Sequence, residues 1–259
     1  MSQNLDCRDE NGVRILTLNR PDKLNALTPD LLEALRARIE EAQSVPGLAA
    51  ILLTGAGRGF CAGQDLAALP EAELGRTDLG AVVERLYNPL ILAMRRHPLP
   101  IIAAVNGIAA GAGASLALAC DVVIAARSAR FVQAFVQIGL IPDSGSTWFL
   151  PRLVGEARAR ALMLLAEPVE AETAAAWGMI WKVCDDTALM EEALRIAAGE
   201  RAANRAAIAL IKRALHEGSA HDLPAQLALE RDLQREAGRR PDFLEGVRAF
   251  REKRPPRFR

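Results

Sequence analysis

Aromatic residues make up only 4% of this 259-residue chain, with a single tyrosine, while 51% of it is hydrophobic. A core with so few rings must be built from Ala, Leu, Val and Ile, which suits strands covered by alanine-rich helices. Cysteine is sparse as well. Cys7, Cys61, Cys120 and Cys184 stand far apart and form no CxxC pair, so neither a zinc site nor a disulfide framework is signalled, and a reduced, cytoplasmic protein is expected. Net charge is missing: 32 basic side chains balance 32 acidic ones, which removes the broad positive field expected where nucleic acid is the main partner. No stretch approaches the ~20 uninterrupted apolar residues of a membrane span. The opening Met1-Ser-Gln-Asn-Leu-Asp has no basic stretch followed by an apolar run, so a soluble chain without export or a membrane partner is expected. Histidine is limited to His97, His216 and His221, none in a glycine-rich segment. Ser115 therefore lacks the base that a nucleophilic serine needs.

What is present is periodic. The length suits one large α/β domain or a core with a small appendage. Val13, Ile15 and Thr17 alternate with Arg14, Leu16 and Leu18 before Asn19-Arg20-Pro21, which predicts a strand. Thr28 and Pro29 supply an N-cap and a first-turn proline for a helix carrying Leu31, Leu32, Leu35 and Ile39 on one face. The run Ala49 to Leu53 reads as a buried strand feeding the glycine-rich loop Thr54 to Gly59. Pro70 to Thr77 is the least patterned stretch, with mobility expected near Pro70, and a helix over about Leu79 to Arg96 follows. Next come a strand (Ile101 to Val105), a glycine-rich turn, a helix (about Ala112 to Ala119) and a strand (Val122 to Ala125). This βαβ-like unit has a helix that is apolar on every face, so it must be buried. Beyond Ala157 the pattern is mostly helical.

Three segments combine glycine with a strand or helix end: Phe60-Cys-Ala-Gly-Gln-Asp-Leu66, Val105-Asn-Gly-Ile-Ala-Ala-Gly-Ala-Gly-Ala-Ser115 and Ile138-Gly-Leu-Ile-Pro-Asp-Ser-Gly-Ser-Thr147. Two such turns can aim free N–H groups at one ligand oxygen. The second opens a buried helix, whose positive end would favour the charge of an enolate made from a thioester. The same glycines serve equally well as tight turns for packing. Asp143, beyond the apolar Ile138 to Ile141, is placed to be partly desolvated, which suits a carboxylate to reversible proton transfer. On these residues alone a helix cap is the better reading, since Pro-Asp-Ser-Gly is a good turn and N-cap sequence. Asp121 and Asp65 read as anchors of backbone groups, and Cys61 as a small buried hydrophobe.

Together the three segments, with Leu18-Asn-Arg-Pro-Asp-Lys-Leu-Asn-Ala26 and Arg248-Ala-Phe-Arg-Glu-Lys-Arg254, resemble the crotonase (enoyl-CoA hydratase/isomerase) superfamily over essentially the whole chain. The resemblance implies an α/β, crotonase-like fold of repeated ββα units, with a core over 1–197 and a helical C-terminal region over 198–259 through which trimers, or dimers of trimers, form. It implies an acyl-CoA substrate, no metal and no cofactor beyond the coenzyme A of that substrate. The backbone N–H groups of Ala62 and Ala112 would hold the thioester oxygen. Lys23, Ala26, Ala62, Gly63, Gln64, Asp65, Leu66 and Gly111 would line the substrate path, and Phe250 and Lys253 would approach the coenzyme. Hydratases of the superfamily use two glutamates, and the resemblance places Ser115 and Ala134 there. Asp143 instead matches the carboxylate of a subset of isomerases and a dehalogenase. The run Phe131 to Gly145, with Thr147-Trp-Phe-Leu-Pro-Arg152, Tyr87-Asn-Pro89 and Trp177-Gly-Met-Ile-Trp181, is similar to isomerases of bacterial phenylacetate degradation, which convert ring-1,2-epoxyphenylacetyl-CoA to an oxepin thioester and shift double bonds. Ser146 stands where a second glycine is frequent. The alternatives are hydration, dienoyl-CoA isomerisation or dehalogenation on the same scaffold, or a non-catalytic acyl-CoA- or RNA-binding role.

Overall fold

In the computed structural model, which describes residues 3–68, 75–199 and 204–258, the chain opens with an antiparallel hairpin of β1 (Leu5–Glu10) and β2 (Val13–Leu18). Asn11 and Gly12, at φ of 50° and 78°, form the reversal, an Asn-Gly pair being suited to a turn in which both residues are left-handed. β1 is not foreseen by periodicity, because its charged, exposed residues give it no apolar face. An edge strand is protected from stray pairing by such charges. β2 is enclosed on both faces. Even its Arg14 is buried, held by the Asp9 carboxylate at 2.8 and 2.9 Å and donating to the Arg38 carbonyl at 3.0 Å.

Helix α1 (Pro29–Ala42) begins as the sequence requires, the Thr28 hydroxyl accepting from the Leu31 N–H at 3.3 Å, and buries Leu31, Leu32, Leu35 and Ile39. The chain then repeats one motif, a long strand followed by a short one. β3 (Ala50–Gly55) leads to β4 (Gly59–Cys61), β5 (Ile101–Val105) to β6 (Ile108–Ala110), and β7 (Val122–Ala126) to β8 (Arg130–Val132). Later come β9 (Val169–Glu170) and β10 (Lys182–Cys184). The long members, with β1, β2 and the three-residue β10, form a six-stranded sheet in the order β1-β2-β3-β5-β7-β10, and the short ones join β9 in a four-stranded sheet in the order β4-β6-β8-β9. From β2 through β10 the larger sheet is parallel. Covered on both faces, β3 and β5 are buried at every residue, so they read as apolar runs without alternation.

Helix α2 (Leu79–Val82), a π-helical turn (Val83–Tyr87) and α3 (Asn88–Arg96) replace the single helix expected there. Between β6 and β7 lies α4 (Ala112–Leu118), buried along its whole length as its apolar sequence demands. The expected mobility at Pro70 falls on residues outside the described ones. The rest is mainly helical: α5 (Ser146–Val154), α6 (Glu156–Leu165), α7 (Ala171–Ala176), α8 (Leu189–Ala197), α9 (Arg205–Gly218), α10 (Leu223–Gly238) and α11 (Pro241–Glu252). No described helix is long and apolar enough to cross a membrane.

One ion pair fastens α9 to the sheets. Lys212 donates to Asp121 Oδ2 at 2.6 Å and to the Leu99 carbonyl at 2.9 Å, while the same Oδ2 accepts the Ile101 N–H at 2.8 Å. Asp121 thus anchors backbone, as the sequence suggests, and a lysine besides. Desolvation draws the Lys212 pKa below the ordinary lysine value, against the pull of Asp121. Asp121→Ala strips the acceptor from two largely enclosed donors and is expected to cost about 2–4 kcal/mol. Thermal denaturation measures the loss, and hydrogen exchange should place it first in α9.

Candidate active site

The first glycine-rich loop is held by residues upstream of it. Leu24 and Asn25 adopt left-handed φ values of 47° and 58°. The enclosed Asn25 amide accepts from the Arg20 N–H at 2.8 Å and donates to the carbonyls of Ala56 and Gly59 at 2.9 and 2.8 Å. Arg20 in turn donates to the Ala26 carbonyl at 2.6 Å and to the Asp65 carboxylate at 2.7 Å. Asp65 is therefore an anchor. Leu27 runs alongside the loop, its N–H donating to the Gly63 carbonyl at 2.7 Å and its carbonyl accepting the Asp65 N–H at 2.9 Å.

The second turn lies directly on this loop. A Cβ on Gly113 would stand 2.2 Å from the Cys61 oxygen, and one on Gly63, whose φ is +89°, would stand 2.9 Å from the Ala110 oxygen and 3.4 Å from the Ala112 nitrogen. Only residues without a side chain allow two backbones to touch this way. The Ala112 N–H, first in α4, has no acceptor among the described residues, whereas the Gly111 N–H donates to the Val132 carbonyl at 2.9 Å.

The expectation for Ala62 needs correction. Its N–H donates to the Leu24 carbonyl at 2.9 Å and is closed to any ligand. The open amide of this loop belongs to Gln64. Because Gly63 and Asp65 make the bonds to Leu27, Gln64 faces its own backbone groups the other way, and its N–H has no acceptor among the described residues. Spacing identifies the loop, but only the pairing with Leu27 decides which amide is free.

Asp143 sits on the tight turn before α5. Ser144 and Gly145 follow it with φ of 53° and 80°, and the Asp143 carbonyl accepts the Ser146 N–H at 3.0 Å. The cap reading fails for its side chain, since Gly145 takes the N-cap position of α5 and no side chain caps that helix. The carboxylate accepts instead from the Ser144 hydroxyl at 2.9 Å. Burial raises the Asp143 pKa above 3.8, with the Ser144 bond pulling the other way.

Asp143 has a neighbour that the sequence reading leaves without a role. Tyr87 is buried on the π-helical turn, a local feature frequent at functional sites. Burial first, then the charge of the neighbouring Asp143 and a coupling to Cys61, raise the pKa of its hydroxyl above the ordinary tyrosine value. Asp143 and the Cys61 loop therefore share one neighbourhood. Burial also pushes the Cys61 thiol up to about 12, which leaves it an inert hydrophobe.

Ser115 is enclosed and back-bonded to the Gly111 carbonyl at 3.2 Å. Ala134 is not the side chain that faces the glycine turn. That place is filled by Phe135, whose ring would lie 4.0 Å from a Cβ on Gly111. Ser115 and Phe135 are both without a carboxylate. Lys23 is exposed, Ala26 buried, and Leu66 exposed beside the loop. Phe250, 85% exposed, and Lys253, which ends α11, stand in solvent on the single chain and are not brought into this site. Among the described residues no group of His, Cys, Asp and Glu could hold a metal ion.

Comparison with known proteins gives consistent matches. The enoyl-CoA hydratase/isomerase family model matches residues 8–259. The 1,2-epoxyphenylacetyl-CoA isomerase of Escherichia coli K12 is 50% identical over 96% of this chain and 95% of its own length. A relative in Rhodobacter capsulatus that carries the name probable enoyl-CoA hydratase is 49% identical over 95% of this chain and 94% of its own. Among solved structures, an enoyl-CoA hydratase from Polaromonas sp. JS666 superimposes with a TM-score of 0.91 at 36% identity, covering 98% of this chain and 99% of that one.

Proposed function

Since the chain belongs to the enoyl-CoA hydratase/isomerase family, we propose that it is an acyl-CoA isomerase that moves a proton between two carbons of its substrate, with ring-1,2-epoxyphenylacetyl-CoA as the preferred thioester. The observation that carries this reading is a half-buried carboxylate, Asp143, that no basic side chain pairs among the described residues, in the neighbourhood of a glycine-rich turn, with the Gln64 and Ala112 N–H groups open among the same residues. Two main-chain donors on a thioester oxygen stabilise the enolate as it forms. One carboxylate can take a proton from the carbon next to the thioester and return it elsewhere, whereas hydration by the two-carboxylate route needs a second acid that Ser115 and Phe135 do not supply.

On the epoxide the balance is internal. A proton leaves the carbon beside the thioester, the ring carbon–carbon bond spanned by the epoxide breaks as oxygen enters the ring, and a proton returns to a ring carbon, giving the oxepin thioester. No atom is gained or lost, and the chemistry calls for no metal or redox group. The same residues serve a double-bond shift. In this reading Lys23, Ala26, Gly63, Asp65, Leu66 and Gly111 lie along the coenzyme A and thioester path. Incubation with a panel of CoA thioesters, including epoxidised phenylacetyl-CoA, with product identification by mass spectrometry and NMR tests it. An oxepin or shifted-alkene product is expected, and hydration alone would overturn the reading.

Ionised Asp143 is the base, so kcat/KM should fall on the acid side through a pKa above 3.8. Ser144→Ala removes the O–H that favours the charged form, so the acid limb is expected to move to higher pH. A limb that stays in place would assign the titration to another group.

Assembly belongs to the same proposal. Leu215 and Leu223 are each 70% exposed on α9 and α10, and Ile211, Phe243, Leu244 and Phe250 are also exposed on the C-terminal helices. So much apolar surface favours burial against other copies, with 198–259 as the trimerisation region and Phe250 and Lys253 meeting a neighbouring coenzyme. Light scattering on the eluting protein should give three or six times 27.9 kDa, and Leu215→Glu combined with Leu223→Glu should shift it toward the monomer.

A further inference from the structure

We propose that Gln133 is a specificity-determining residue of the isomerisation, its side-chain Nε2 donating a hydrogen bond to the oxygen carried on the acyl ring of the substrate. The inference rests on the isomerase reading above and deepens it. Gln133 is only 3% exposed, and its Nε2 is buried without a hydrogen-bond partner. Its Oε1 accepts the hydroxyl of the fully enclosed Ser146 at 2.9 Å. Interior carboxamides normally complete their bonds, because a buried donor left unmet is destabilising, and an apolar side chain would avoid the penalty. Retaining one at this place calls for a reason.

Location supplies the reason. Val132, just before Gln133, accepts the Gly111 N–H at 2.9 Å, so the Gln133 backbone stands beside the turn that presents Ala112. At the far end of the side chain, Ser146 donates its own N–H to the Asp143 carbonyl at 3.0 Å. The carboxamide therefore reaches from the strand end that carries the Gly111 turn to the loop of the proton carrier. Ser146 acts as the positioning residue: a glycine there, the residue frequent at this position, would leave Oε1 without its donor. A hydrocarbon acyl chain offers Nε2 nothing. An epoxide oxygen, retained as the ring oxygen of the oxepin, offers an acceptor on both sides of the reaction. Sites built around such a bond discriminate strongly against substrates that lack it.

The test compares two thioesters, epoxidised phenylacetyl-CoA and a 3-enoyl-CoA whose chain carries no oxygen beyond the thioester carbonyl, on wild type, Gln133→Leu and Ser146→Ala. Gln133→Leu should lower kcat/KM for the epoxide about tenfold or more, as loss of one well-placed hydrogen bond does, and change the enoyl thioester less than about threefold. Ser146→Ala should shift the ratio of the two the same way by a smaller factor, through kcat more than KM, since it only loosens the amide. Should Gln133→Leu fail to fold, the ratio in Ser146→Ala still decides. Equal losses on both thioesters, or none, would overturn the proposal, because a merely structural pair affects both alike. Wild-type turnover of the enoyl thioester alone would overturn it while leaving double-bond isomerisation standing. Turnover of neither would remove the isomerase reading itself.

Discussion

Asp143→Asn is expected to lower kcat/KM for the isomerisation by about 10²–10⁴-fold, the span that a positioned proton carrier contributes, and to leave the fold intact. Asparagine keeps the shape and still accepts from the Ser144 hydroxyl, which bonds the aspartate at 2.9 Å. It cannot take a proton from carbon. Stability should move the other way. Burial raises the Asp143 pKa above 3.8, so the folded chain holds this proton more tightly than the unfolded one. The associated stabilisation is complete below 3.8 and is lost as pH rises through the raised value. At neutral pH the wild type therefore carries an ionised, partly desolvated carboxylate that the variant lacks, and the variant should melt at an equal or higher temperature. Steady-state kinetics with a thermal melt checks both. Near-normal turnover would remove the proposed proton carrier.

The elements legible in the sequence are those whose pattern is set by burial on a large scale. Leu31, Leu32, Leu35 and Ile39 announce α1, and the unbroken apolar runs of β3, β5 and β7 announce a covered parallel sheet. The strands β4, β6, β8 and β9, of three residues or fewer, are too short to hold a period. Their existence follows from the repeat of long and short strands, visible in topology and not in residue identity. The corrections within the site share one cause. The family resemblance leads to Ala62 and Ala134, while the structure favours Gln64, two residues on, and Phe135, the next residue. In each case the loop is right and its facing is wrong, because facing is decided by pairing with a distant segment, Leu27 in the first case and the Gly111 turn in the second. Asn25 and Tyr87 lie within quoted motifs, yet nothing local reveals that one amide holds two loops or that one phenol lies in the field of Asp143.

Gly113→Ala tests whether the two turns must touch, and it is expected to damage fold and activity together. The added methyl would stand 2.2 Å from the Cys61 carbonyl oxygen and 2.8 Å from the Cys61 Cβ. Both partners are fixed: Cys61 ends β4, which pairs with β6, and α4 is buried on every side. No rotamer change relieves a Cβ contact, so α4 must recoil into the core, at about 1–3 kcal/mol or more for overpacking. The same recoil separates the Ala112 N–H from the Gln64 N–H. Losing one donor to a developing oxyanion costs about 10²–10³-fold in kcat, and a loss of that size is expected here even in the fraction that remains folded. Gly238→Ala provides the contrast. It closes α10, with open space around its Cα and no left-handed φ, so alanine should be neutral or add up to about 1 kcal/mol with kinetics unchanged. Wild-type melting and turnover in Gly113→Ala would mean that the loops do not rest on each other, and the paired-amide site would lose its framework.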